Sequence, residues 1–209
     1  MTNIKKLIQD VEKADSADGL LKAVETLAAA KSEAAIPTLV EVLGYNNPGA
    51  AVAAVEGLIE IGEVVIPYIL ENIDSYNYGA RAWTIRVFAG IGDPSALEQL
   101  LKAASDFSLS VRRAAARGLG TIKWSKMPQE ARFPAQKQVL KTLLGVSHDS
   151  EWVVRYAAIV GLENLTRGIE NKEDFMLKIK ERFNQIIATD PELALQARTH
   201  KAFEQLKDI

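Results

Sequence analysis

The sequence predicts an all-α protein, a right-handed solenoid of about five stacked helical pairs closed by capping helices. Three observations carry this expectation. Alanine, leucine, isoleucine and valine dominate and aromatics make up only 7%, whereas strands favour β-branched and aromatic side chains over alanine. Short patterns recur at a period near thirty: Ile36-Pro37 and Ile66-Pro67 stand 30 apart, as do Gly49-Ala50-Ala51 and Gly79-Ala80-Arg81, the mark of a repeat array. Within each period apolar residues fall at i, i+3, i+4 and i+7, one stripe of a helix.

In chain order, an amphipathic pattern at about 3–14 reads as an N-terminal capping helix. Repeats follow over about 15–170, within a single repeat domain spanning 1–209. The first helix of each pair carries Ile36, Leu39, Val40 and Leu43, then Ile66, Ile69, Leu70 and Ile73, then Leu97, Leu100, Leu101 and Ala104, then Leu140, Leu143 and Leu144. Pro37, Pro67 and Pro94 suit the first turn, where a missing N–H loses no partner. The second helices are placed at about 48–61, 78–91, 109–122 and 150–165. Their small residues, Gly57, Gly118 and Gly161 among them, allow close packing. Arg81, Arg112 and Arg155 recur at one position, 31 and then 43 residues apart. The longer step marks an insertion from Lys123 to roughly Gln136. The polar stretch at about 170–207 reads as the last repeat and C-terminal capping helices. No unit of this kind buries its stripe alone, so the units must stack.

Several function classes are disfavoured. The formal net charge is -2, which supplies no broad positive field for nucleic acid. There is no cysteine, so thiolate catalysis, disulfides and thiolate metal sites are excluded. The two histidines, His148 and His200, lie far apart, and no metal or nucleotide is expected. No signal-peptide pattern and no apolar run of about 20 residues is present, so neither secretion nor membrane insertion is expected and the location is expected to be cytoplasmic.

The run from Val111 to Ile122, V-R-R-A-A-A-R-G-L-G-T-I, resembles the HEAT-repeat signature V-R-x-x-A-A-x-A-L-G-x-I. Asp106 and Asp149, each six residues before an arginine, are family-like as well. The recurring arginines are expected to form a structural ladder to aspartates of the turns. One to five residues further along each second helix the positions vary, and there stand Trp83, Arg86, Arg113, Arg117 and Tyr156. Arginine forks and aromatic faces on neighbouring turns suit a planar, acidic molecule. The alternative for the same residues is a solvated basic face with aromatics tucked between repeats. Asn77-Tyr78 and His148-Asp149 lie in turns at helix N-termini, where anions are favoured. Asp149 there is either an acid or simply an N-cap or ladder partner. His148 is the one histidine placed to act as acid or base, and Trp124 and Trp152 are expected in packing roles.

Three stretches carry a narrower resemblance: Asn77-Tyr78-Gly79-Ala80-Arg81-Ala82-Trp83, Ser108 to Gly120, and Asp149-Ser150-Glu151-Trp152-Val153-Val154-Arg155-Tyr156-Ala157-Ala158. Over about 15–170 the chain resembles the bilin lyases of cyanobacterial and red-algal light harvesting, the F-type (beta) subunits above all. That resemblance implies a heterodimer with an E-type lyase subunit, which attaches phycocyanobilin, the transferred substrate, to a cysteine of the apo-phycocyanin α subunit. The residue reading fits that chemistry: Trp83, Arg86, Arg113, Arg117 and Tyr156 are expected to bind the bilin, and Asp149, Tyr78 and His148 are the expected catalytic residues. E-type subunits carry Y-Y-A-A-W-W-L where this chain has Arg155-Tyr156-Ala157-Ala158-Ile159-Val160-Gly161-Leu162, without the tryptophan pair. Lyase-isomerase F subunits carry a His-Cys motif, absent here, so isomerisation is disfavoured. Two alternatives are a bilin-detaching or phycobilisome-disassembly factor and a non-catalytic HEAT adaptor.

Overall fold

The structure, a computed structural model, describes residues 3–72, 78–169 and 172–206, without the side chains of Tyr78 and Lys172. Among the described residues are twelve α-helices, three short 3-10 turns and no strand. They divide into two compact units, Met1–Ile91 and Gly92–Ile209. No helix among the described residues is long and apolar enough to cross a membrane.

The first unit holds α1 (Ile4–Glu12), α2 (Ala17–Ala29), α3 (Ile36–Val42), α4 (Pro48–Ile61), α5 (Val65–Asn72) and α6 (Tyr78–Ile91). Helices α2, α4 and α6 pack in succession as one layer, while α1 lies on α2 and α3 on α4. Polar caps decide where the helices start. Asn3 and Ser16 accept from the backbone N–H groups of Lys6 and Gly19, satisfying donors that have no partner inside a first turn. Asn47 does two things at once: its Oδ1 accepts from Ala50 N–H at 3.0 Å, and its Nδ2 donates to the Ala17 carbonyl at 3.0 Å. One side chain thereby starts α4 and ties it to the start of α2. Further along, a Cβ on Gly57 would lie 2.5 Å from the Ala28 Cβ, so glycine sets how near α4 approaches α2.

The second unit holds α7 (Leu97–Ala103), α8 (Leu109–Leu119), α9 (Gln129–Val146), α10 (Trp152–Leu165), α11 (Lys172–Thr189) and α12 (Leu193–Gln205). Its inner layer is α8 on α10 and α10 on α12, and α7, α9 and α11 cover them pairwise. Phe133 of α9 stacks on Phe175 of α11 with ring centroids 6.1 Å apart. The expected insertion is mostly helical. After a 3-10 turn at Trp124–Lys126, its remainder lengthens α9 to 18 residues, with Pro134 inside. Arg132 secures the entry by donating to the Met127 and Ser125 carbonyls at 2.8 and 3.3 Å. The C-terminal pair α11–α12 packs as a further repeat, with α12 continuing the inner layer beside α10.

Second helices expected at 48–61 and 78–91 occupy those residues. The other two are shorter than expected, because the Asp149 carboxylate holds Glu151 N–H at 2.9 Å and delays α10 until Trp152, while α8 ends at Leu119. The tightest approach of α8 to α10 is at Gly161, whose missing Cβ would strike the Ala116 carbonyl oxygen. Gly161→Ala is therefore expected to lower stability by about 1–3 kcal/mol through overpacking. A lower denaturant midpoint with unchanged helicity in circular dichroism is the expected result.

Candidate functional site

A ladder of polar side chains runs along the N-terminal ends of α8, α10 and α12. Arg112 grips the Asp149 carboxylate with both arms of its fork, Nε to Oδ2 at 2.6 Å and Nη2 to Oδ1 at 3.0 Å. Its third nitrogen, Nη1, donates to the carbonyls of Asp106 and Phe107 in its own turn. Arg155 repeats the arrangement one rung on, with Asp190 at 2.8 and 2.9 Å and the Asp149 and Ser150 carbonyls at 3.0 Å each. At the last rung Gln196 donates to the Asp190 carbonyl at 2.7 Å. Each rung couples the backbone of one turn to the carboxylate of the next, in the bidentate geometry that guanidinium and carboxylate prefer. The turn that precedes Arg81, residues 73–77, lies outside the described residues.

This placement assigns Asp149 to the ladder. Its hydrogen bond from Arg112 outweighs burial and holds the carboxyl below its ordinary value, with the Glu151 N–H assisting. For Asp190 burial alone pushes the carboxyl up, but Arg155, the Glu192 N–H and Arg182 together bring it below the usual range. A carboxylate held this way stays ionised and is a poor proton donor. His148 is exposed on the turn between α9 and α10, yet neighbouring protein atoms desolvate its ring and Arg182 repels a proton from it, so its pKa is lowered. At neutral pH it accepts a proton more readily than it donates one. Asn77 and the Tyr78 side chain lie outside the described residues.

The residues expected to hold a ligand fall into two groups, one in each unit. On α6, the Arg86 guanidinium lies over the Trp83 ring, 4.6 Å from its centroid, a stack that orients the cation. In the second unit, Arg113 and Arg117 stand exposed one turn apart on α8. Neither guanidinium has an ion-pair partner among the described residues. Tyr156 occupies on α10 the register position that Arg113 occupies on α8, each directly following a ladder arginine, and its ring is partly exposed. Trp124 is buried as expected of a packing residue, whereas Trp152 is 41% exposed. His200 is exposed on α12.

The sequence reading passed over a cluster between α10 and α12. Glu163 is only 4% exposed and pairs with both Arg198 and Arg167. Arg198 also lies over the Tyr156 ring, 6.0 Å from its centroid. Arg182 of α11 donates to the Ser147 hydroxyl and carbonyl at 2.7 and 2.6 Å. The available signal was separation: Ser147–Arg182, Arg155–Asp190 and Glu163–Arg198 are each 35 residues apart.

Comparison with known proteins first defines the class. A family model described as HEAT repeats matches residues 66–163. An archaeal HEAT-like repeats protein from Thermococcus onnurineus superposes with a TM-score of 0.60 over 98% of this chain and 87% of its own, at 11% identity, which speaks for the fold alone. Full-length relatives then narrow the class. The phycocyanin alpha phycocyanobilin lyase CpcF of Synechocystis sp. is 50% identical over 207 residues, 99% of this chain and 95% of its own. A phycocyanobilin lyase subunit beta of Nostoc sp. is also 50% identical, over 95% of this chain and 96% of its own. A chain in the structure of the complex of CpcE and CpcF of phycocyanin lyase from Nostoc sp. superposes with a TM-score of 0.76 at 49% identity, covering 82% of this chain and 99% of that one. The chain belongs to the family of phycocyanobilin lyase beta subunits.

The ladder has a pH signature. The folded state holds the Asp149 carboxyl below its unfolded value, so the rung's stability is complete above about pH 4 and drains as pH falls through the folded value. Asp149→Asn is expected to cost about 1–3 kcal/mol at pH 7 by leaving Arg112 without its ionic partner. The variant should also lose less than wild type between pH 5 and pH 3, as urea unfolding at a series of pH values would show.

Proposed function

We infer that this chain is the F-type half of a heterodimeric bilin lyase, which with an E-type partner attaches phycocyanobilin to a cysteine of the phycocyanin α subunit. The observation that carries this reading is 50% identity along 99% of the chain to a protein of that activity. The partner is supported by the complex in which a similar chain is found. With no cysteine in this chain, the nucleophile belongs to the acceptor. The thiol sulfur bonds to the ethylidene carbon of the bilin, the double-bond electron pair shifts toward the tetrapyrrole, and the thiol proton ends on it. No oxidant or reductant is consumed.

This chain's part is to hold the substrate. Arg113 and Arg117, without ion-pair partners among the described residues, present their forks to a propionate, and Tyr156 offers a ring face at the same register. Trp83 with Arg86 forms a second, stacked contact surface on α6. Asp149 sets the turn in front of Tyr156 through its ladder bonds, and His148, neutral at physiological pH, is placed to take up a proton rather than give one. Such a site acts by orientation, which supplies up to about 7–11 kcal/mol of a barrier.

Coexpression of this chain, its E-type partner, apo-phycocyanin α and a phycocyanobilin source, with each omitted in turn, tests the reading. Denaturation-resistant bilin on the α subunit is expected only when both lyase chains are present. Equal attachment without this chain removes the assignment, and loss of bilin from holo-phycocyanin would favour the detaching role instead. Arg113→Gln with Arg117→Gln is expected to slow attachment about tenfold or more, since each charge-assisted contact is worth about 1.5–3 kcal/mol. Unfolding of that double variant should match wild type.

A further inference from the structure

The cleft between α10 and α12 has a volume of about 550 Å³, inside the range of small-molecule sites, about 300–1,000 Å³. Tyr156, Glu163, Arg167, Ala197, Arg198 and Lys201 line it. Three cations face one anion there, and that anion is already engaged: one Glu163 oxygen takes Arg167 and the other takes Arg198. The cleft therefore keeps a positive balance. Arg198 is held on both sides, by Glu163 and by the Tyr156 ring, and is mostly buried, so its charge acts on the cleft from behind the exposed Arg167 and Lys201. Ala197 leaves room above the helix, and Tyr156 supplies a π face beside the cation.

We propose that this cleft is a carboxylate-anchoring subsite in which the exposed Arg167 and Lys201, backed by the charge of Arg198, bind a propionate of the bilin while Tyr156 lies against the adjoining ring. The proposal rests on the lyase reading and adds to it a second anion contact on α12, separate from Arg113 and Arg117 on α8. Glu163 holds the Arg198 fork and keeps its charge compensated when the cleft is empty. Arg167 and Lys201 are exposed, so they add attraction without the cost of a buried ion.

The test uses the purified complex with the E-type partner, titrated with phycocyanobilin and, separately, with its dimethyl ester, which keeps the chromophore and removes both charges. Absorbance of the bound bilin reports affinity. The wild-type complex is expected to prefer the free acid by about tenfold or more. Arg167→Gln with Lys201→Gln should abolish much of that preference and leave ester binding unchanged, and Glu163→Gln with Arg198→Gln should lower the preference as well. The first changes only exposed side chains, so its fold is not at stake; the second removes the buried pair together and strands no charge. A wild-type complex that binds acid and ester equally overturns the proposal while leaving the lyase reading intact. So does an exposed-pair variant that keeps the full preference. A wild-type complex that neither binds nor attaches bilin removes the lyase reading and the subsite with it.

Discussion

The arginine–aspartate rung is the constraint on which the second unit depends. Apolar stripes of alanine, leucine and valine bring helical pairs together but tolerate sliding, because dispersion and burial have little direction. A rung does not slide. Arg112 reads two carbonyls of its own turn and both oxygens of a carboxylate 37 residues away, and Arg155 does the same across 35. Breaking even with desolvation is enough for such a pair, since its contribution is to select one register. In that register Gly161 meets the Ala116 carbonyl and Gly120 meets Gly161; any shift along the helix would set side chains against backbone.

Fixing the ladder position sorts every other position of the inner helices. On α8, Ala114, Ala115 and Ala116 are buried and Arg113 and Arg117 are exposed. On α10 the residue after the ladder arginine is Tyr156, and on α12 the fifth residue after Gln196 is Lys201. These outward positions carry no packing duty, so their chemistry is open to a ligand. The first residues of α8, α10 and α12 are Leu109, Trp152 and Leu193, exposed by 42%, 41% and 77%. Exposure there belongs to the register rather than to tryptophan as such, which is why Trp152 departs from the packing role expected of it.

Period and stripe were legible because they are local. The bounds of α4 and α6, the stacking of pairs and the ladder role of Arg112 and Arg155 follow from patterns that recur from repeat to repeat. What was not legible depends on pairing between repeats or on broken patterns. Gln196 ends the ladder six residues after Asp190, but the missing arginine hides the rung from a motif search. Glu163 and Arg198 meet across 35 residues, and nothing in the local sequence of either says so. The insertion carries Pro134, normally a helix breaker, yet α9 runs through it, because Phe133 stacks on Phe175 and Arg132 ties down the entry. As for the candidate site, residue types at Arg113, Arg117 and Tyr156 were readable, and a ladder role for Asp149 was one of the expected readings; that its partner is Arg112, 37 residues away, was not.

That commitment bears on how the reaction is divided. A carboxylate with both oxygens bonded to a guanidinium and a pKa held down does not supply a proton at neutral pH, and His148 with its lowered pKa is mostly unprotonated there as well. General acid catalysis is worth about 10²–10⁴-fold, and among the described residues these two candidates do not provide it. Orientation is worth more, up to about 7–11 kcal/mol, and asks only for rigid cations and ring faces. Arg198, clamped between Glu163 and Tyr156, is a cation held in that way in the second unit, and Arg86 stacked on Trp83 is one in the first. The thiol brings its own proton to the reaction, so the proposed task of holding the bilin against it asks for no acid from Asp149 or His148.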